Sequence, residues 1–160
     1  AIGPGMFGEV VVNDQRIPAG LQKLLADGAS GVRGDILQRG GFVGVTMFPP
    51  FLRRGTAATV EDYLEVIEYT INLVGEDHVG IGTDFTQGYG QPFFDWITHD
   101  KGYARRLVDL GAIVMPAGLR RIEDFPHLTA AMERAGWPER RIRKVLGLNW
   151  MRLLREVWGA

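Results

Sequence analysis

An α/β fold built on a parallel sheet is predicted by three observations. The stretch "GFVGVTMF", residues 41–48, is apolar and β-branched and lies between Gly40-Gly41 and Pro49-Pro50, as a buried strand would. "HVGIGTDF", residues 78–85, repeats the pattern, so that Val43-Gly44 returns 36 positions later as Val79-Gly80. Between the two lies one clear helical pattern. Strand, helix, strand in that order implies a right-handed crossover and parallel strands.

The helix has its own signals. Thr59 followed by Asp62 is a start signal of the capping-box type, and Gly75 is a stop. Val60, Leu64, Ile67, Ile71 and Val74 fall on one face at helical spacing. In the second strand, Gly80 and Gly82 alternate where glycine weakens a strand, so something must approach that face closely, a neighbouring strand or a ligand. The spacing of the units fits a (β/α) barrel, which averages roughly 30 residues per unit. A closed eight-stranded barrel needs at least ~200 residues, and the chain has 160.

The remaining elements follow in order. Residues 86 to 100 form the longest irregular region, rich in aromatics and glycine. "KGYARRLVDLGAIV" reads as a helix with Leu107, Val108 and Leu110 inward, and "FPHLTAAMERAG" as a short helix closed by Gly136. "WPERRIRKVLGLNWMRLLREVW" is a helical pair with Pro138 suited to a first turn. Its apolar stripe is Ile142, Val145, Leu146, Trp150, Leu153, Leu154, Val157 and Trp158, and Arg140, Arg141, Arg143 and Lys144 are read as a solvated face. At the start of the chain, "GEVVVNDQRIPAG" suits two short strands about a turn at Asn13-Asp14, and "LQKLLADG" a short helix ending at Gly28. "GASGVRGD" is read as loop and "DILQRGG" as a last helical turn.

Composition narrows the function. With 46% hydrophobic and 23% charged residues and a formal net charge of -1, the chain reads as one ordinary globular domain. So small a charge gives no field for nucleic acid or an anionic membrane, and neither partner is expected. No cysteine is present, which excludes a disulfide framework, a thiolate metal site and a cysteine nucleophile. No apolar run reaches the roughly 18 residues of a membrane span. "AIGPGMFGEV" shows no secretion signal, so a cytoplasmic setting is expected, although a cleaved signal would leave no trace. Ala1 in place of Met suggests processing or a longer parent chain.

Asp84 is the principal candidate for chemistry. It stands at the C-terminal end of a parallel strand and before a long loop, where such folds place ligands and catalytic side chains. An acid at that position equally suits a cap on the loop amides. His78, His99 and His127 form no pair at metal-ligand spacing. His78 opens the strand at the end opposite Asp84 and reads as structural, whereas His99, beside Asp100, can reach the same mouth. His127 follows Phe125-Pro126 at a helix start and suits packing or capping. "GPGMFG" matches a dinucleotide fingerprint but has no preceding strand, and Ser30, the only serine, lacks a nucleophile-elbow context. Tyr89, Phe93, Phe94 and Trp96 make an aromatic loop that suits either a substrate lid or a plug.

"GGFVGVTMFPPFL", "TVEDYLEVIEYTINLVGEDHVGIGTDF" and "FPHLTAAMERAGWPERRIRKVLGLNWMRLLREVW" together resemble the C-terminal part of the renal (membrane) dipeptidase family, metal-dependent hydrolases of the amidohydrolase superfamily. The likeness covers about residues 39 to 158. It implies the C-terminal portion of a (β/α)8 TIM-type barrel, its last two strands and following helices, incomplete as a single chain. Residues 1–38 then form a divergent N-terminal segment and 39–160 the dipeptidase-like part. The resemblance also implies two bridged zinc ions at the C-terminal face and a metal-bound hydroxide that attacks a dipeptide carbonyl. Asp84 matches the acid that ends the eighth strand, takes the water's proton and returns it to the leaving amine. Tyr89 and Phe48 are the candidate substrate-binding residues.

The departures are as specific. The family's metal ligands, a His-x-Asp, a Glu and two histidines, lie upstream of the seventh strand, yet the first 40 residues contain no histidine. No Arg-Asn pair for substrate precedes residue 41; Arg16 and Arg33 are out of place. The chain is thus expected to hold no metal ligand and to be inactive alone. It would need a partner chain or a homo-oligomer to complete the barrel. The alternative is a non-catalytic interaction or scaffold protein derived from the barrel.

Overall fold

In the computed structural model, residues 40–85, 88–100, 105–106 and 113–159 are described. The elements expected before residue 40 lie outside them, as do Leu107, Val108 and Leu110.

Two short strands, β1 (Val43–Val45) and β2 (Val79–Ile81), pair in parallel with Val43 opposite Val79 and Gly44 opposite Gly80. The repeat in the sequence is therefore the register of the sheet. The strands are shorter than the apolar stretches that hold them. A last ladder bond runs from the Gly82 amide to the Val45 carbonyl at 3.0 Å. Beyond it Thr46 turns its hydroxyl to the Phe48 amide, and Pro49 and Pro50 have no amide to offer.

Helix α1 (Val60–Val74) starts on the expected capping box, in which the Thr59 amide donates to Asp62 Oδ2 at 2.7 Å. It ends at Gly75, whose φ of 85° is open to glycine at little cost. Val60, Leu64, Ile67, Ile71 and Val74 are all buried. Tyr63, absent from the predicted stripe, is fully buried with them. The close approach implied by the strand glycines is also present. A Cβ on Gly80 would lie 2.3 Å from the Phe42 ring, and one on Gly82 would lie 2.9 Å from the Gly44 carbonyl carbon. A ring and a neighbouring strand, rather than a ligand, fill that space.

The irregular region expected over 86–100 instead contains helix α2 (Gln91–Ile97), with Pro92 in its first turn and the Thr98 hydroxyl bonded back to the Phe94 carbonyl. The helix expected across 101–114 is not formed at Arg105 and Arg106. There β3 (His99–Asp100) pairs antiparallel with β4 (Arg105–Arg106).

Residues 113–119 run back to the start of α1. Ala117 accepts from the Val60 amide at 3.0 Å and donates to the Ala58 carbonyl at 2.8 Å, with Pro116 and Leu119 buried beneath. Helix α3 (Phe125–Arg134) buries Leu128, Ala131 and Met132 and closes near Gly136, as expected. Helix α4 (Glu139–Arg143) follows Pro138, which stands at its N-cap; a wide turn over Lys144–Leu148 then breaks at Gly147 and leads into α5 (Asn149–Trp158).

Two expectations for this pair change. Ile142 and Val145 are buried, but Leu146, Trp150, Val157 and Trp158 are exposed, Trp150 with its ring 4.5 Å from that of Phe42. The basic run is only half solvated. Arg140 and Arg143 are exposed, while Arg141 and Lys144 both reach Glu76, at 3.1 and 2.7 Å, and Lys144 also reaches Asp77 at 2.5 Å. Together Lys144 and Arg141 hold the Glu76 carboxyl below its ordinary range. Buried Asn149 donates to the Glu76 and Val79 carbonyls at 2.6 and 2.8 Å, and Arg152 donates to the Gly40 and Asp77 carbonyls. The C-terminal helix thus fastens the entry ends of both strands.

Candidate functional site

The opposite, exit end of the sheet carries Asp84. Fixing it begins with Tyr63, whose hydroxyl donates to the Val45 carbonyl at 2.6 Å, the oxygen that also accepts from the Gly82 amide. Burial pushes the Tyr63 phenol well above its ordinary pKa, so it remains a donor across the working range. Two residues beyond Gly82 the backbone turns over at Asp84. Its φ of 55° is the only positive value at a non-glycine among the described residues. Left-handed backbone costs an L residue roughly 1–2 kcal/mol, less for Asp. The turn leaves the side chain exposed at the strand end.

From Asp84 the chain passes into a cleft of about 400 Å³. One wall is Phe85, Tyr89 and Phe94; the other is Met115 with Arg120 and Arg121. Tyr89 is exposed, with its ring 4.3 Å from that of Phe93. The second wall is tied down by the Asp124 carboxylate, whose Oδ2 accepts from the backbone amides of Arg120 and Arg121 at 2.9 and 3.0 Å. His127 Nδ1 meets the Gly118 carbonyl at 2.9 Å.

The predicted residues separate accordingly. Asp84 and Tyr89 fall at one end of the sheet. Phe48 is half-buried, packed edge-on against Phe51 at 5.3 Å, and does not line the cleft. His78 Nδ1 bonds the Gly41 carbonyl at 2.8 Å, tying the two strand entries together. His99 Nδ1 turns back onto the Asp95 carbonyl of its own helix end. Arg120, Arg121 and Met115 were not singled out by spacing, because adjacent arginines before "IEDFP" look like a solvated turn. Among the described residues no group of three or more His, Cys, Asp or Glu side chains is placed to hold a metal ion. Zinc therefore finds no fitting site in this part of the chain. No helix among the described residues is long and apolar enough to cross a membrane.

The sequence profile of the membrane dipeptidase family, peptidase family M19, matches residues 34–105 and 108–159. A dipeptidase of Aspergillus terreus, ataJ, is 33% identical over 102 residues, 64% of this chain and 18% of its own length. An uncharacterized protein from the pqqA 5' region of Klebsiella pneumoniae is 28% identical over 127 residues, 77% of this chain and 38% of that protein. Among solved structures, an amidohydrolase from Pseudomonas aeruginosa superposes with a TM-score of 0.75 at 58% identity, over 81% of this chain and 40% of that one. A metallopeptidase from Rhodobacter sphaeroides, bound to a phosphinate mimic of L-Ala-D-Ala, superposes at 0.57 and 28% identity, over 79% of this chain and 30% of that one. The chain spans less than half the length of each of these relatives. It belongs to the membrane dipeptidase family.

Proposed function

We propose that the chain supplies the acid/base carboxylate and one side of the substrate cleft of a metal-dependent dipeptidase. The observation that carries this reading is the family match across residues 34–159, with Asp84 exposed beside an aromatic cleft at the exit end of its sheet. In this reading β1 and β2 are the last two strands of a (β/α)8 barrel, residues 39–160 are the dipeptidase-like part, and Tyr89 contributes to the binding side, whereas Phe48 lies outside the cleft. Asp84 accepts a proton from the attacking water as its oxygen bonds to the peptide carbonyl carbon. It then gives that proton to the amine as the C–N bond breaks. Zinc would have to be held by residues outside the described part or on a partner chain, and the substrate class is a dipeptide such as L-Ala-D-Ala.

The alternative, a non-catalytic interaction protein derived from the barrel, is favoured by one feature, the exposed apolar side of α5 with Val157 at 68% and Trp158 at 74% exposure. Zinc analysis and native mass spectrometry of the natively purified protein, followed by L-Ala-D-Ala hydrolysis, separate the two. The enzyme reading expects about two zinc ions in the complex, as in two-metal hydrolases, and activity lost in Asp84→Asn. A zinc-free species without hydrolysis overturns it and leaves the interaction reading.

A further inference from the structure

The end of the sheet that carries Asp84 is fastened by a side chain to which the proposed chemistry gives no role. Tyr63 is fully buried in α1 among Val60, Leu64 and Ile67, where phenylalanine would pack as well. A hydroxyl taken out of water is costly unless it is bonded. Here it donates to the Val45 carbonyl at 2.6 Å, and the Gly82 amide reaches the same oxygen at 3.0 Å. Burial raises the phenol and the Gly82 backbone offsets part of the rise, so hydroxyl, carbonyl and amide meet at one point. That point is the last rung before the strands part.

The helix behind Tyr63 is itself held. The neighbouring Asp62 carboxylate accepts from the Arg54 guanidinium and from the Thr59 amide, each at 2.7 Å, and the Val60 amide is bonded to Ala117. In front of it, the strands touch through their backbones: a Cβ on Gly82 would lie 2.9 Å from the Gly44 carbonyl carbon. A shift of β1 at Val45 therefore passes to Gly82. Asp84 follows two residues later, at most about 7 Å further along the chain. A tilt of about 10° at Gly82 would carry it by about 1 Å over that reach, and a misplacement of about 1 Å can cost an enzyme about 100-fold in rate. Resting on the dipeptidase reading above, we propose that Tyr63 is the positioning residue for Asp84, setting through the Val45 carbonyl and the Gly82 amide where the strand ends and the acid begins.

The test compares Tyr63→Phe with Ile67→Val, a small loss of buried contact in the same helix, in the full chain and in its zinc-loaded complex. In the full chain, NMR hydrogen exchange follows the Gly82 amide, and backbone shifts follow Thr83 and Asp84. Tyr63→Phe is expected to speed exchange at Gly82 and to move the Asp84 signal, and Ile67→Val to leave both in place. In the complex, Tyr63→Phe is expected to lower kcat for L-Ala-D-Ala by at least about tenfold at unchanged KM, within the range of such a misplacement. Ile67→Val is expected to leave both constants unchanged. In an Asp84→Asn background Tyr63→Phe should cost nothing further, because it acts through the carboxylate. An unchanged kcat, or an equal loss with and without the Asp84 carboxylate, overturns the proposal while the dipeptidase reading stands. Inactivity of the wild-type complex overturns that reading instead. The amide signals then decide alone whether Tyr63 places Asp84: signals that move as expected support it, and signals that stay overturn it.

Discussion

The hydroxyl of Tyr63 and the carbonyl of Val45 lie 2.6 Å apart, buried, where the sheet's last ladder bond is also made. One oxygen thus accepts from both the helix behind the sheet and the neighbouring strand. Tyr63→Phe removes one donor and leaves the Gly82 amide in place, so it should cost about 0.5–1.5 kcal/mol. Tyr63→Ala also empties a fully buried site and should cost about 3–5 kcal/mol. Urea denaturation of both variants measures the difference. Equal costs would mean that the hydroxyl carries the whole contribution and the ring adds none.

Asp84 occupies backbone that glycine adopts freely, with φ at 55°. Asp84→Gly should therefore stabilise the fold, by up to about 1 kcal/mol, while removing the carboxylate. A thermal midpoint that rises as dipeptide hydrolysis disappears would mark the acid as kept for chemistry. A midpoint that falls would mark it as a loop cap.

The two strand glycines should respond differently to the same change. At Gly80 an added methyl meets the Phe42 ring, which a smaller side chain can vacate; at Gly82 it meets the Gly44 backbone, which cannot withdraw. Gly80→Ala and Gly82→Ala should each cost about 1–3 kcal/mol through overpacking. Phe42→Leu should recover part of the first loss and none of the second, and a double-mutant cycle reads this directly.

This pairing also separates what was legible in the sequence from what was not. The repeat of Val43-Gly44 at Val79-Gly80 gave the register, and Thr59 with Asp62 gave the start of α1, because both are local patterns with a fixed geometric meaning. Arg120 and Arg121 were illegible. Their cleft exists only because Ala117 bonds the start of α1 while Phe85 follows a strand more than 30 positions earlier, and spacing along the chain carries no such information. The helix predicted through Arg105 failed for a related reason: a strand pair depends on its partner, His99-Asp100, more than on its own periodicity.

Acid should unfold the chain through its paired carboxylates. Burial pushes the Asp62 carboxyl up, but the Arg54 guanidinium at 2.7 Å together with the Thr59 amide outweighs it and holds the group below its ordinary range. Glu76 is lowered by Lys144 and Arg141. A depressed folded pKa stabilises the protein above the unfolded value, and that contribution is lost as pH falls through the folded one. Stability should hold from neutral pH to about 4.5, the upper edge of ordinary carboxylate titration, and decline below it. Asp62→Asn should lower the plateau and flatten the decline, as urea midpoints between pH 2 and 7 would record.

Asn149 fills a site where a buried and a part-buried carbonyl converge. Asn149→Leu keeps the approximate volume and leaves both acceptors unpaired, at about 1–3 kcal/mol each. Asn149→Asp sets a carboxylate against them and should be worse at pH 7 than at pH 4. A pH-independent difference between these variants would rule out the charge argument.

The clamps that α5 places on the strand entries reach far back along the chain: Asn149 meets a carbonyl 70 residues upstream, and Arg152 meets one 112 residues upstream. A ribosome adds about 5–20 residues per second, so β1 and β2 emerge several seconds before the residues that fasten them. During that interval the nascent sheet has open edges and an unsealed base, the state in which chains pair wrongly with one another. The fold of this segment is therefore completed from its far end, and the moments before α5 is delivered are when it most needs a chaperone's cover.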